Sequence, residues 1–333
     1  MTSTKKLVIT LVALCVTVVL GIATLMVVLT QSLQSMGVSI NAIFENSGIT
    51  VTYDLSQMST MHWNVFNSSS FVDSEKKEPD ADGKATFTIP MPKANGAMFM
   101  GCYSGGTEIP TTYDAANQTL TFTATENMNV SFSFMPASLY SDSFELVNGE
   151  YWVKSTISDP FGGGMYSDTV VIPDYYNNYP IVGFKYSTVT SETIEGGTTM
   201  YNQTAALDSF SNIATVYIGN NVREVKYLMY GIYSHFANPD YNELGSAMTY
   251  SNSSSTYKNA IIGRGMTSLY AVAISPIDDW GNTTITSIKF LDTNNWSWYN
   301  GSTTTAVDVT NPTNNVSYQQ PSSGTLYKWV KNA

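Results

Sequence analysis

The chain has 333 residues, with 15 Lys and Arg against 26 Asp and Glu, a formal net charge of −11, and only 12% charged side chains. An acidic, sparsely charged surface repels phosphate backbones, so nucleic acid is not an expected partner. Abundant Tyr, Val, Ile and Phe beside Thr, Asn, Ser and Gly set disorder aside and suit strands joined by polar turns, a mainly β fold.

Lys5 and Lys6 lead into residues 7–29 (LVITLVALCVTVVLGIATLMVVL), which carry no charge. At helical rise this run spans about 35 Å, enough to cross a hydrocarbon core of about 30 Å with some tilt. It predicts a single transmembrane helix. The lysines precede the run and no Lys or Arg follows closely, so residues 1–6 are expected as a cytoplasmic tail and residues 30–333 outside the cell membrane. A cleaved secretory signal is the rival reading, but its apolar region runs about 7–15 residues and ends at a small-x-small site. The exit here, Val28-Leu29-Thr30-Gln31-Ser32-Leu33, has none. Cys15 follows Leu14 and precedes more apolar residues, the setting of a lipid-facing side chain rather than an acylated one.

Residues 30–36 read as a linker or helix extension. From 37 to 136, short alternating runs recur: VSINAIF (38–44), ITVTYDL (49–55), ATFTIPM (85–91), LTFTATE (120–126) and VSFSFM (130–135). Period-two alternation at this spacing predicts an Ig-like β-sandwich. Residues 75–78 (EKKE) read as a solvated loop and 80–83 (DADG) as a turn. Cys102 is the one cysteine outside the apolar run, so no disulfide can form beyond it. Nine N-x-S/T sequons, Asn315 among them, decide little in a chain this rich in Asn, Ser and Thr.

Beyond about residue 139 the texture changes. Ile213-x-x-Val216-x-Ile218, Leu269-x-x-Val272-x-Ile274 and Ile285-x-x-Ile288-x-Phe290 share one spacing, and Val170-Val171-Ile172-Pro173 matches its second half. L-x-x-L-x-L is the strand signature of a leucine-rich repeat, whose fourth and sixth residues point into a solenoid while their neighbours face out. On that pattern Thr215, Tyr217 and Lys289 fall at outward positions and are the candidate contact residues.

The stretch DTVVIPDYYNNYPIVGF (168–184) resembles the "VVIP…NGxPVTxI" unit of BspA-like leucine-rich-repeat surface proteins, and SNIATVYIGNNVREVK (211–226) resembles their "L-T-S-V-x-I-G-x-x-V-x-x-I" unit. Residues 285–333 resemble the terminal module of such proteins: a last strand, a Trp-containing hairpin, a "VDVxxP" segment and an aromatic-basic finish. The resemblance implies a leucine-rich-repeat domain over 139–333 and adhesion to protein or glycan surface ligands. Repeats of this family recur at about 23 residues, which the positions of Val170, Val216, Val272 and Ile288 do not follow, and the "AFxxC" helix motif is absent. A short, irregular solenoid is expected, with 227–266 as a degenerate repeat or an insertion.

Groups suited to catalysis are few. His62 and His235 are the only histidines, and no C-x-x-C, H-E-x-x-H, G-x-S-x-G or P-loop spacing occurs. Asp278-Asp279 reads as a solvated loop rather than a glycosidase pair. Asp279, Asn282 and Asp292 offer oxygen atoms to calcium, but nothing fixes their geometry. No cofactor or resident metal is expected, and no enzymatic activity. The expectation is a membrane-anchored surface protein that binds or adheres through its repeat domain. The alternatives are a structural surface-layer subunit and a surface carbohydrate-active enzyme.

Overall fold

The computed structural model describes residues 48–59, 61–139, 141–155, 169–186, 190–193, 199–203, 207, 213–226, 231–234, 243–244, 258–274, 285–319 and 324–332. The expected span 7–29, the linker 30–36, the run 38–44, His235, Asp278, Asp279 and Asn282 lie outside them. Among the described residues no helix is long and apolar enough to cross a membrane. They form a mainly β structure, and their α-helix is the four-residue Ala271–Ile274.

The chain divides into two compact units. In the first, Met1–Thr50 with Lys76–Ala85 and Ala124–Asn127, Asp80 closes the expected turn by accepting the N–H groups of Asp82 and Lys84 on Oδ1 at 2.9 Å. The second takes in Val51–Glu75, Thr86–Thr123 and Met128–Ala333, and so holds most of the expected sandwich and repeat regions together.

The N-terminal half builds a five-stranded sheet in the order Ser74–Lys77, Ile49–Tyr53, Met128–Pro136, Ala97–Ser104 and Thr107–Glu108. A three-stranded sheet joins Ala85–Pro90, Thr119–Ala124 and Thr112–Asp114. Alternate residues are buried, as in Phe87 and Ile89 or Leu120 and Phe122, as the period-two pattern predicts. Residues 74–77 correct the expected loop: they form an edge strand, where charged side chains alternate outward and protect the free edge. Ala97–Ser104 carries no period-two signal, because it is buried on both faces.

In the second half, Thr169–Val171, Thr215–Ile218, Asn259–Ile262 and Ser287–Phe290 stack as a four-stranded, all-parallel ladder. Val170, Val216, Ala260 and Ile288 lie in register along it, and all are fully buried. Ala260 stands in the row where spacing puts Val272. Leu269 instead belongs to Ser268–Tyr270, parallel to Glu224–Val225 in another sheet, and Val272 falls in the short helix. The pattern missed Ala260 because a methyl group leaves little hydrophobic signal.

Each ladder strand is followed by a tight turn and a second strand segment on the other side of a shared core. There Arg223 N donates to Val182 O (3.1 Å), Thr267 N to Arg223 O (2.8 Å) and Lys331 N to Thr267 O (2.9 Å). The turns stack so closely that a Cβ on Gly219 would lie 2.7 Å from the Pro173 carbonyl oxygen, while one on Gly263 would strike the Gly219 carbonyl and one on Gly265 that of Asn220. Lys328–Lys331 pairs antiparallel with both Ser268–Tyr270 and Trp296–Tyr299. Trp296, Trp298, Trp329 and Phe290 close this end, with ring centroids 4.7 Å apart in the Phe290–Trp296 and Trp298–Trp329 pairs.

Candidate ligand-binding cleft

Four residues past each in-register core position stands a polar side chain: Asp174, Asn220, Arg264 and Asp292. All four are buried. They form a column along the stacked turns. Asn220 donates its backbone N–H to Asp174 Oδ1 (2.6 Å) and its Nδ2 to both carboxylate oxygens (3.0 Å each). Arg264 donates its backbone N–H (3.0 Å) and Nη1 (3.2 Å) to Asn220 Oδ1.

The column is tied to the N-terminal sheet through a bulge. Pairing between Ala97–Ser104 and Met128–Pro136 shifts register between Phe99 and Gly101, which turns backbone groups out of the ladder. Phe99 N–H donates to Asp174 Oδ2 (2.8 Å). The Phe99 carbonyl accepts from Asn220 Nδ2 (2.8 Å) and Arg264 Nη1 (3.3 Å), and the Met100 carbonyl accepts from Arg264 Nη2 (2.9 Å). Burial pushes the Asp174 carboxyl up to about 6, against the pull of the Phe99 and Asn220 donors and of the Arg264 guanidinium. Burial also lowers the Arg264 pKa and raises the Cys102 thiol to about 12, with the Arg264 guanidinium opposing that rise and Glu108 adding to it, so the thiol stays protonated.

Beside the column opens a cleft of about 370 Å³. One wall is the hairpin of Thr112–Asp114 and Thr119–Ala124, contributing Tyr113 and Gln118. The other consists of the stacked turns, contributing Tyr175, Asn221, Arg223 and Thr267. Asp114 shapes the hairpin by accepting the N–H groups of Ala116 (2.9 Å) and Asn117 (3.1 Å), and Gln118 takes positive φ (53°) to close it. Gln118 Nε2 then donates to the Tyr113 hydroxyl at 2.6 Å. Across the cleft, Asn221 Nδ2 donates to the Asp174 carbonyl (2.7 Å) and Thr267 Oγ1 to that of Arg223 (2.9 Å), which fixes both side chains. Arg223 Nη2 pairs with Glu150 Oε1 at 2.7 Å, so its charge is balanced.

The residues singled out from the sequence lie elsewhere. Thr215 is half-buried, with its Oγ1 3.4 Å from Asn259 Nδ2. The expected open face at Tyr217 is only partly open: Tyr217 is half-buried and packs against the cluster of Met98, Val171 and Leu291, with Met100 and Met135 beside it, so the N-terminal sheet covers part of it. Lys289 keeps partial exposure and pairs with Glu108 at 2.9 Å. All three alternate with the buried row and lie on one face of the ladder, Tyr217 and Lys289 in register through Ile261, but that face is partly packed and ion-paired rather than fully open. His62 is exposed in a turn. Asp292, considered for calcium, is buried against the Lys331 ammonium and accepts from Asn294 N–H (3.1 Å), so a cationic partner already occupies it. Among the described residues no cluster of His, Cys, Asp and Glu is placed to hold a metal.

None of the cleft residues stood out in the sequence, since tyrosines and amides in turns are ordinary. A signal was present in the shared text after each strand, IPDY (172–175), IGNN (218–221) and IGRG (262–265), which sets polar residues at one structural position. No protein-family model, curated protein or solved structure matches this chain.

Proposed function

We propose that the chain is a membrane-anchored surface protein of the BspA-like leucine-rich-repeat type, which presents an N-terminal β-sandwich and a short irregular solenoid outside the cell and binds a surface ligand without transforming it. The cleft carries this reading. Its walls are phenols, amides, a hydroxyl and one ion-paired guanidinium, groups that stack and hydrogen-bond rather than exchange protons near neutral pH. Support for the repeat architecture comes from the parallel ladder with its in-register buried row. Support for the anchor is the uncharged run at 7–29 behind Lys5 and Lys6.

Two measurements on the full chain test the proposal. Membrane fractionation with intact mass should recover an uncleaved, membrane-bound protein; a soluble, shortened product sinks the anchor. The chain in membrane discs should hold beads coated with matrix glycoproteins, and Thr267→Trp, which fills the cleft from an exposed position, should weaken adhesion at least tenfold. Equal adhesion by a variant with unchanged thermal unfolding sinks the cleft as the binding site.

A further inference from the structure

Resting on that reading, we infer that the cleft takes a neutral sugar, recognised by packing on its apolar tyrosine floor and by the amide and hydroxyl groups facing it. A sugar ring has one flat face of C–H groups and a rim of hydroxyls, each both donor and acceptor. The cleft offers the complement. Tyr113, Tyr175 and Val182, all buried, form with Pro180 a rigid apolar floor to the cleft. Gln118, Asn221 and Thr267 supply the polar rim, chiefly as oxygen acceptors for sugar hydroxyl donors. These groups are already oriented: Gln118 Nε2 is held by the Tyr113 hydroxyl (2.6 Å) and the Ala115 carbonyl (3.0 Å), leaving its carbonyl oxygen free to accept. The Thr267 oxygen, donating to the Arg223 carbonyl, keeps its lone pairs. Little ordering remains to be lost on binding.

Charge separates a neutral sugar from an acidic one. Arg223 is the cationic side chain at the cleft, and Glu150 neutralises it at 2.7 Å. The chain as a whole carries −11, which disfavours carboxylate or sulfate ligands further. A peptide adding a strand would find only the three-residue edge Thr112–Asp114, which turns back at once. The volume, near the lower end of the about 300–1,000 Å³ typical of small-molecule sites, suits a compact ligand.

The test is saturation-transfer NMR on the full chain in membrane discs, with glucose, galactose, mannose and N-acetylglucosamine as neutral probes and glucuronate and N-acetylneuraminate as acidic ones. At least one neutral sugar should bind, at least tenfold more weakly to Gln118→Met and not measurably to Thr267→Trp. Glu150→Gln, by releasing the Arg223 charge, should raise glucuronate affinity several-fold. Preference of the unmodified protein for the acidic sugars overturns the inference, as does neutral-sugar binding that both cleft variants leave unchanged. If no sugar binds while bead adhesion still depends on Thr267, the sugar assignment falls and the binding reading stands; if that adhesion is also insensitive to Thr267→Trp, both fall.

Discussion

The guanidinium of Arg264 lies 5.2 Å over the ring of Phe99 and donates Nη1 to the Phe99 carbonyl at 3.3 Å, joining residues 165 positions apart in the chain. Both are buried. Arg264 therefore satisfies a bulged strand of the N-terminal sheet and a turn of the parallel ladder at once.

Arg264→Ala should remove that joint. It strands the Met100 carbonyl, takes one of two donors from the Phe99 carbonyl and removes a charge that favours the Asp174 carboxylate, and leaving buried polar groups unsatisfied costs about 1–3 kcal/mol. Urea unfolding measures the loss. A change below about 1 kcal/mol would mean that water or other groups replace the guanidinium.

Asp174 sets a pH dependence. Its folded-state pKa, about 6, lies above the ordinary carboxyl value of 3.8, so between these values the folded chain holds the proton more tightly than the unfolded chain. Its contribution to stability is fully present below about pH 4 and is lost as pH rises through 6. Relative to Asp174→Asn, the wild-type advantage in unfolding free energy should shrink from pH 4 to pH 7. An advantage that grows over that range would contradict the raised pKa.

Gly263→Ala places a methyl group against the Gly219 and Ile218 carbonyls of the preceding turn, all of them backbone atoms. Overpacking of this kind costs roughly 1–3 kcal/mol, and the upper end is expected because no flexible side chain can yield. Gly101→Ala is the control, since its Cβ would meet nothing nearer than 3.6 Å. Equal thermal shifts for the two would show that the turns do not stack this tightly.

Tyr217→Ala tests the covered face. A tyrosine facing solvent would be replaced at little cost, whereas one half-buried against Met98, Val171 and Leu291 should lose about 1–3 kcal/mol. Calorimetry of the full chain distinguishes the two, and a near-neutral result would return Tyr217 to the free surface.

Much of the strand content was legible because alternation and spacing are local. ITVTY, ATFTIP and the inward rows at Val170, Val216 and Ile288 fall where the pattern puts them. Ala97–Ser104 was hidden by its own importance: with Phe99 and Cys102 buried on one side and Met98 on the other, it reads as a plain apolar run without period. Asn315 shows the same limit at a single residue. Its sequon suggests a glycan, yet the side chain is fully buried, and Nδ2 donates to the carbonyls of Ile288 (2.8 Å) and Val309 (3.0 Å).

The sequence by itself determined the charge, the uncharged run behind Lys5 and Lys6, the strand-forming composition and the approximate repeat, all properties of neighbouring residues. Tertiary structure decided which repeat position Ala260 fills, that Tyr217 is partly covered, and that Tyr113 and Gln118 face Asn221 and Thr267 across one cleft. Those relations depend on a bulge at Phe99 meeting a column at Asp174, Asn220 and Arg264, contacts between residues 44 to 165 positions apart that no local pattern encodes.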